Sequence, residues 1–125
     1  MRLPYRTRIL ESPSPQVFHI VALDKDQIIG FCDAGPCQEA QEGVLGEVYA
    51  IYLLNGYKRR GLGTSLMKRA EAFLREQNLT PYVVWSLEEN LPARHLYEKF
   101  GGVLKLEKID SRSGRDHKVV GYAFD

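Results

Sequence analysis

The amino-acid sequence predicts an α/β fold, with an α+β-type mixed sheet against which two helices pack. Three observations support this prediction: β-rich segments separated by turns lie at both ends of the chain, two segments with helical periodicity lie in its second half, and a short apolar strand lies between those two. With 125 residues the chain can bury one core and not two, so residues 1–125 are predicted to form a single domain. The predicted order of elements is β-β-β-α-β-α-β-β.

Residues 16–54 are predicted to form a hairpin followed by a central strand. A polar turn and a polar loop separate three β-rich segments, at 16–23, 28–33 and 46–54. The third segment, GEVYAIYLL, is apolar at most positions, which predicts a strand buried on both faces. The segment Glu11-Ser12-Pro13-Ser14-Pro15 contains two prolines and is unsuited to regular structure, so no element is predicted ahead of the hairpin.

Residues 55–77 are predicted to form a glycine-containing turn and a helix. Apolar side chains recur along this helix at three- and four-residue steps: Leu62, Leu66, Met67, Ala70, Phe73 and Leu74. Residues 82–125 then contain a buried strand (YVVWSL), a second helix and a closing hairpin. The second helix is predicted to begin at Asn90, a favourable N-cap residue, and to end at Gly101-Gly102.

Composition argues against several classes of function. The formal net charge of +1 is unlike the basic excess of a general nucleic-acid-binding protein. No apolar run approaches the roughly 20 residues of a membrane-spanning helix, and the first residues lack the apolar core of a signal peptide. Cys32 and Cys37 are too few for a disulfide framework, which favours a reducing cytoplasm. The three histidines show no metal-ligand spacing with each other or with the cysteines, so no metal site is predicted.

The turn before the first helix has the character of an anion-binding site. It reads Lys58-Arg59-Arg60-Gly61-Leu62-Gly63-Thr64, and its glycines let the backbone approach a ligand closely because no Cβ intervenes. Unpaired N–H groups in the first turn of a helix and the positive end of its dipole favour a diphosphate. Taken alone, the same residues also fit a simple turn with a solvated basic surface. The GK[ST] ending of a P-loop and the third glycine of a dinucleotide fingerprint are both absent.

A second motif makes the first more specific. It reads Asn90-Leu91-Pro92-Ala93-Arg94-His95-Leu96-Tyr97-Glu98-Lys99-Phe100-Gly101 and opens the second helix. Together the two motifs resemble those of the GNAT superfamily of N-acetyltransferases, in which a [Gln/Arg]-x-x-Gly-x-[Gly/Ala] turn follows the central strand and an Asn-x-x-Ala…Tyr helix follows later. The resemblance extends over residues 16–125 and is strongest over residues 47–101.

The resemblance implies a binding site for acetyl-coenzyme A as cosubstrate, without a metal. The diphosphate would lie on the turn, and the pantetheine arm along the end of the central strand. The residues that the resemblance assigns to this cofactor are Ile51, Tyr52, Leu53, Lys58, Arg59, Arg60, Gly61, Leu62, Gly63, Thr64, Asn90, Ala93 and Tyr97. Lys58 stands where the family has Gln or Arg, and it keeps the charge of arginine without its planar fork. The family's usual first strand and two helices, which form one wall of the acceptor site, are not predicted here, so the fold is expected to be N-terminally abbreviated.

Three residues are candidates for catalysis on the same resemblance. Tyr97 corresponds to a tyrosine near the thioester sulfur and would donate a proton to the departing thiolate; the alternative is a core tyrosine bonded to a backbone carbonyl. Glu47 precedes Gly61 by fourteen residues, where some members have a general base; the alternative is a solvent-facing carboxylate. The Leu53 backbone N–H is the candidate donor to the tetrahedral oxyanion.

The sequence therefore predicts an enzyme that moves an acetyl group from acetyl-coenzyme A directly to a primary amine of a small molecule or a protein. The alternative is a non-catalytic coenzyme A-binding module, or a truncated acetyltransferase that needs a partner to complete the acceptor site. Because an incomplete acceptor wall leaves apolar surface uncovered, a homodimer is expected. Nucleic acid and membranes are not expected partners, and the expected location is the cytoplasm. Tyr49 and Trp85 are expected to pack in the core.

Overall fold

The computed structural model describes residues 5–12, 14–58 and 61–125, with only the backbone described at residue 40. Within these ranges the chain forms seven strands and two α-helices. In chain order they are β1 (Arg6–Leu10), β2 (Phe18–Asp24), β3 (Gln27–Gln41), β4 (Val44–Leu53), α1 (Leu62–Glu76), β5 (Tyr82–Leu87), α2 (Leu91–Lys99), β6 (Val103–Asp110) and β7 (His117–Phe124), with a short 3-10 helix at Asn55–Tyr57.

All seven strands belong to one sheet, in the order β1-β2-β3-β4-β5-β7-β6. Neighbouring strands are antiparallel except β4 and β5, which are parallel. Helix α1 lies in the connection between these two parallel strands, which require a crossover of this kind. The mixed sheet and its two helices are as the sequence predicts.

Strand β1 is not among the elements that the sequence predicts. It pairs antiparallel with β2, from Arg6 opposite Leu23 to Leu10 opposite His19. The segment RTRIL is mostly exposed, so its strand conformation depends on the hydrogen bonds that the edge of β2 offers. This strand corrects the expectation of a missing first strand. The connection to β2, residues 11–17, is too short to hold two helices.

The β3–β4 hairpin is longer than predicted. The sequence indicates a polar loop over residues 35–43, whereas β3 continues to Gln41. Pro36 lies where the register of the ladder shifts, so its missing N–H is tolerated there. Lys108 of β6 contacts this hairpin, since its Nζ lies 3.1 Å from Glu39 Oε2.

The hydrophobic core lies between the sheet and the two helices. Helix α1 buries one stripe of side chains against β2, β3 and β4: Leu62, Leu66, Met67, Ala70 and Leu74. Burial of a leucine or methionine side chain contributes about 1.5–3 kcal/mol, so this stripe fixes α1 on the sheet. The backbone of β4 approaches the segment after α1 closely at Gly46, where an added Cβ would lie 2.1 Å from the Leu79 carbonyl oxygen. These contacts fix α1 and the segment that follows it against β4.

The opposite face of strands β1–β4 carries no helix among the described residues. We call it the open face and define it by side chains that alternate with core residues such as Ile20 and Cys32: His19, Val21, Phe31, Asp33, Ala50 and Tyr52. Two aromatic side chains on it remain accessible, with Phe31 exposed by 36% and Tyr52 by 52%. The sheet therefore buries one face under its helices and presents aromatic groups to solvent on the other.

Candidate active site

A cleft opens where the two parallel strands separate. β4 and β5 pair at three positions, the last being Val48 opposite Val84. Beyond that point β4 stays paired with β3 and β5 with β7, so their inner edges face each other without a common ladder. Backbone groups on such edges can pair with an extended ligand that contains amides. The cleft has a volume of about 230 Å³ and is lined by Val48, Tyr49, Ala50, Ile51, Val84, Trp85, Ser86, Leu87, Asn90, Ala93 and Tyr97.

A β-bulge in β4 lies at this cleft. Two consecutive residues of β3, Asp33 and Ala34, pair with Ala50 and Val48, so Tyr49 is an extra residue in β4. A bulged residue is left out of the ladder, and its strand bends. The bend coincides with the separation of β4 from β5, and it leaves backbone polar groups near Tyr49 without a partner in the β3 ladder.

Helix α1 begins with an N-terminus that no side chain caps among the described residues. Gly61 is its N-cap residue and has φ 78° and ψ 1°, a left-handed conformation that glycine adopts without steric cost. The first turn contains no acidic residue, so its free N–H groups and the helix dipole favour an anion. Gly63 lies against α2, because an added Cβ would be 3.1 Å from Leu96 Cδ2. The N-terminus of α1 is therefore beside the helix that lines the cleft.

Some of the other predicted residues of this turn are described by the structure and others are not. Arg59 and Arg60 lie outside the described residues, and their assignment to the cofactor stays a prediction. Lys58 is exposed, Thr64 is half-buried, and Leu62 is buried in the core. Leu62 can therefore offer a ligand its backbone N–H and not its side chain.

Helix α2 closes one side of the cleft with three predicted residues. Asn90 is its N-cap, since Asn90 Oδ1 accepts a hydrogen bond from the Ala93 N–H at 3.3 Å. The exposed amide nitrogen of Asn90 remains a donor that can reach a ligand. Ala93 is half-buried, and Tyr97, one turn later, is exposed by only 4%. The structure thus brings these three residues of the second motif together at the cleft, and their assignment to the cofactor stays a prediction.

The Tyr97 hydroxyl makes no hydrogen bond within the part of the chain that the structure describes. A buried tyrosine usually has a partner, and the alternative of a hydroxyl bonded to a backbone carbonyl is not observed among those residues. Burial raises the pKa of Tyr97 to about 12, with a smaller contribution from the Cys32 thiol. Tyr97 is therefore a protonated hydrogen-bond donor on the wall of the cleft.

The resemblance assigns three residues at the end of β4 to the cofactor, but the side chain of only one of them lines the cleft. Ile51 lines the cleft, whereas Tyr52 and Leu53 do not. Tyr52 stands on the open face, and Leu53 packs against Gly30, where an added Cβ would lie 2.5 Å from Leu53 Cδ2. The roles predicted for Tyr52 and Leu53 are backbone roles, and they stay predictions.

Glu47 lies under the β3–β4 hairpin and is not part of the cleft lining. Its side chain is exposed by 8%, and Glu47 Oε1 accepts a hydrogen bond from the Gln38 N–H at 3.0 Å. Burial and then the Glu47 carboxylate raise the pKa of the neighbouring Cys37 thiol. The carboxylate is not solvent-facing as the alternative supposed, and its role as a general base stays a prediction.

Comparison with known proteins identifies the family. The model of the acetyltransferase (GNAT) family matches residues 2–102. This chain belongs to the GNAT family. It is 36% identical over 98 residues to the Bacillus subtilis (strain 168) protein named "Uncharacterized N-acetyltransferase YuaI", and the match covers 78% of this chain and 56% of that protein. The chain thus spans little more than half the length of this relative.

Solved structures of low sequence identity share the GNAT fold. The GNAT family acetyltransferase from Elizabethkingia anophelis, with acetyl-CoA bound, matches with a TM-score of 0.73 and 12% identity, over 98% of this chain and 97% of that chain. The IAA acetyltransferase from Bacillus cereus ATCC 14579 matches with a TM-score of 0.74 and 14% identity, over 96% and 99% of the two chains. These likenesses confirm the predicted fold class.

Three residues of this GNAT site were not singled out from the sequence. Trp85 and Tyr49 were expected in the core, yet both line the cleft. Ser86 also lines it and is a buried polar residue, exposed by 7%. The serine in the apolar run YVVWSL is a signal that could have identified it, because a hydroxyl in a buried strand needs a partner. The Tyr49 hydroxyl donates a hydrogen bond to the Pro36 carbonyl, which holds its ring beside the cleft.

Within the residues that the structure describes, the remaining reactive groups form no second centre. Cys32 is fully buried, and burial, followed by the charge of Asp33, raises the pKa of its thiol to about 12, which makes it a poor nucleophile. No group of three or more His, Cys, Asp and Glu side chains within the described ranges could hold a metal ion. Neither described helix has the length and apolar character to cross a membrane.

Proposed function

We propose that this GNAT chain transfers the acetyl group of acetyl-coenzyme A to a primary amine. The observation that supports this most is the cleft between β4 and β5, which α2 links to the uncapped N-terminus of α1. A relative of 36% identity is named an N-acetyltransferase, and a structural neighbour holds acetyl-CoA. A helix N-terminus without a side-chain cap, two strand edges without a common ladder and a buried hydroxyl occur together here, and they suit the diphosphate, the amides and the sulfur of a coenzyme A thioester.

The residues present fit acetyl-coenzyme A along its length. The diphosphate would bind the backbone N–H groups of residues 61–64, where hydrogen bonds to a charged group contribute about 1.5–3 kcal/mol each. The amides of the pantetheine arm would pair with the inner edges of β4 and β5, which have no common ladder beyond Val48. Asn90 would add a side-chain donor. The thioester would then lie near Tyr97.

Acetyl transfer forms a C–N bond and breaks a C–S bond. The neutral amine attacks the acetyl carbonyl carbon, and negative charge develops on the carbonyl oxygen. A backbone N–H of β4 between Tyr49 and Leu53 would donate to this oxygen, because the bulge and the open inner edge free such groups. The sulfur would leave as a thiolate that accepts a hydrogen bond from Tyr97, and the proton that the attacking nitrogen loses as the amide forms would pass to solvent. An alkylammonium has a pKa near 10.4, so a base must remove a proton, and we assign this to Glu47 acting through water.

The two substrates would reach the cleft from opposite faces of the sheet. Asn90, Ala93 and Tyr97 line it on the side of the helices, whereas Ala50 belongs to the open face. Acetyl-coenzyme A held by the helices therefore leaves the open face as the entrance for the amine. This division keeps the anion site and the acceptor entrance apart.

Release of free thiol tests the proposed reaction directly. The purified chain is mixed with acetyl-coenzyme A and a panel of primary amines, and coenzyme A is detected with a chromogenic disulfide while mass spectrometry detects the acetylated amine. Thiol release that depends on the amine supports acetyl transfer. Saturable binding without release would favour the second candidate, a coenzyme A-binding module, for which the short connection between β1 and β2, residues 11–17, is the supporting observation. Absence of any binding contradicts both.

We also propose that the chain forms a homodimer in the cytoplasm. Both edge strands expose large apolar side chains, including Ile9 of β1 at 58% and Ile109 of β6 at 60%. A second copy could cover such surface. Both cysteines have free thiols, which suits a reducing compartment.

A further inference from the structure

We infer that the open face binds the acceptor as an arylalkyl primary amine, with its ammonium group at Asp33 and its ring on Phe31 and Tyr52. This inference rests on the proposed function, because it names the substrate class of the same site. Two rows of side chains cross the open face from β2 to β4 and support it. The row that we call polar contains His19 and Asp33 and ends at Ala50. The row that we call aromatic begins at Val21 and contains Phe31 and Tyr52.

The polar row places a carboxylate next to the cleft. His19 Nδ1 lies 2.8 Å from Asp33 Oδ1, and the two side chains are exposed by 32% and 28%. Among the described residues Asp33 has no other hydrogen-bond partner, so its second oxygen can accept from a ligand. Ala50, directly opposite Asp33, lines the cleft with a single methyl group. Cβ atoms of such a pair are about 4.5–5.5 Å apart, so an amine above Ala50 is within reach of the carboxylate.

The aromatic row places two rings at a fixed distance from that carboxylate. The ring centroids of Phe31 and Tyr52 are 5.9 Å apart at an interplanar angle of 30°. Phe31 and Asp33 are alternate residues of β3, so they are separated by about 6.6–6.8 Å along the strand. A phenyl ring joined to an amine through two or three carbons spans this distance. The two rows therefore match both ends of an arylalkyl amine.

The charges around the open face favour a cation at Asp33. Asp33 contributes a carboxylate to this face of β3, and the neighbouring strand β4 carries a second carboxylate, Glu47. Arg8 of β1 also faces this side, but it stands opposite Val21 and not in the polar row. Lys108 is held by Glu39 at 3.1 Å and lies over the Trp85 ring. Neither cation is placed to neutralise Asp33.

Equilibrium binding of three probes to the chain saturated with coenzyme A tests this inference. The probes are 2-phenylethylamine, its neutral analogue 2-phenylethanol and the short ethylamine, each titrated by NMR. We expect Asp33→Asn to weaken 2-phenylethylamine at least about tenfold, as expected for a lost charged hydrogen bond, and to leave 2-phenylethanol unchanged. Asp26→Asn is the matched control, because the Asp26 carboxylate is fully exposed and lies 3.7 Å from Arg6. It should alter neither affinity.

A second variant separates the ring from the charge. We expect Tyr52→Leu to weaken 2-phenylethylamine severalfold and to leave ethylamine unchanged, with thermal melting confirming that each variant folds. The inference is overturned if Asp33→Asn leaves the amine affinity unchanged, or if 2-phenylethylamine fails to bind a chain that binds coenzyme A. Thiol release with a peptide amine and not with 2-phenylethylamine would overturn it while upholding the proposed function. Failure to bind coenzyme A would overturn the proposed function itself.

Discussion

Replacing Tyr97 with phenylalanine removes one hydroxyl from the cleft and is expected to slow acetyl transfer about 10- to 150-fold. The thiolate that leaves would lose one hydrogen bond, and bonds to charged groups contribute about 1.5–3 kcal/mol. Each 1.36 kcal/mol corresponds to a tenfold change in rate, which gives this range. Tyr97 is exposed by 4%, so water has little access to replace the lost donor.

The pKa of Tyr97 decides between hydrogen bonding and full proton transfer. Burial raises this pKa to about 12, whereas a free thiol has a pKa near 8.5. Complete transfer from tyrosine to thiolate is then uphill by about 3.5 units, or roughly 5 kcal/mol, so the hydrogen bond is the expected contribution. Because the folded-state pKa lies above the unfolded value, the neutral hydroxyl persists until the pH rises towards 12. No alkaline decline in kcat below about pH 11 should come from Tyr97.

Kinetics and thermal melting of two tyrosine variants provide the assay. Tyr97→Phe should lower kcat for thiol release, leave the Kd of acetyl-coenzyme A within about twofold, and change the free energy of unfolding by less than about 0.5 kcal/mol, because no described partner is lost. Tyr122→Phe is the matched control and should lower the stability while leaving kcat unchanged. Its buried hydroxyl lies 2.9 Å from Arg94 Nε and donates to Glu98 at 2.6 Å, so stability falls by about 1 kcal/mol while kcat stays. Wild-type kcat in Tyr97→Phe would refute this reasoning.

Three other outcomes are expected. Gly46→Ala should destabilise the fold by about 3 kcal/mol in thermal melting, because the added Cβ would lie 2.1 Å from the Leu79 carbonyl oxygen, whereas Gly56→Ala meets nothing within 4 Å and should be nearly neutral. Glu47→Gln should lower kcat at neutral pH by about 100-fold, as expected for a lost general base; unchanged kcat would limit Glu47 to its hydrogen bond with Gln38. Sedimentation at micromolar concentration should give twice the 14.3 kDa chain mass, and a monomer would contradict the dimer.

The elements that the sequence predicts well are those with strong local signals. Strand β5 has the predicted bounds, and Asn90 caps α2 as predicted, because an apolar run between turns and a capping residue act over a few neighbours. Strand β1 was missed since it depends on pairing with β2, which a local pattern does not record. The extension of β3 to Gln41 was missed for the same reason, because it depends on pairing with β4.

In the candidate site, too, local patterns predict some features and long-range structure determines the others. Asn90, Ala93 and Tyr97 are spaced by three and four residues, so helix periodicity alone puts them on one face, and the structure brings all three to the cleft. Trp85 and Tyr49 are predicted to be core residues because each lies in an apolar strand. Their exposure to the cleft follows from the separation of β4 from β5, which is a property of the whole sheet.

Calorimetric titration of the chain with acetyl-coenzyme A and with S-acetylpantetheine tests the donor site most directly. The second compound has the thioester and the arm without the diphosphate. Saturable binding of one acetyl-coenzyme A per chain is expected, with S-acetylpantetheine at least about tenfold weaker, because each hydrogen bond from the N-terminus of α1 to a charged oxygen contributes about 1.5–3 kcal/mol. Equal affinities would contradict the anion site at Gly61 and Gly63, and no saturable binding of either compound would contradict the proposed donor site as a whole.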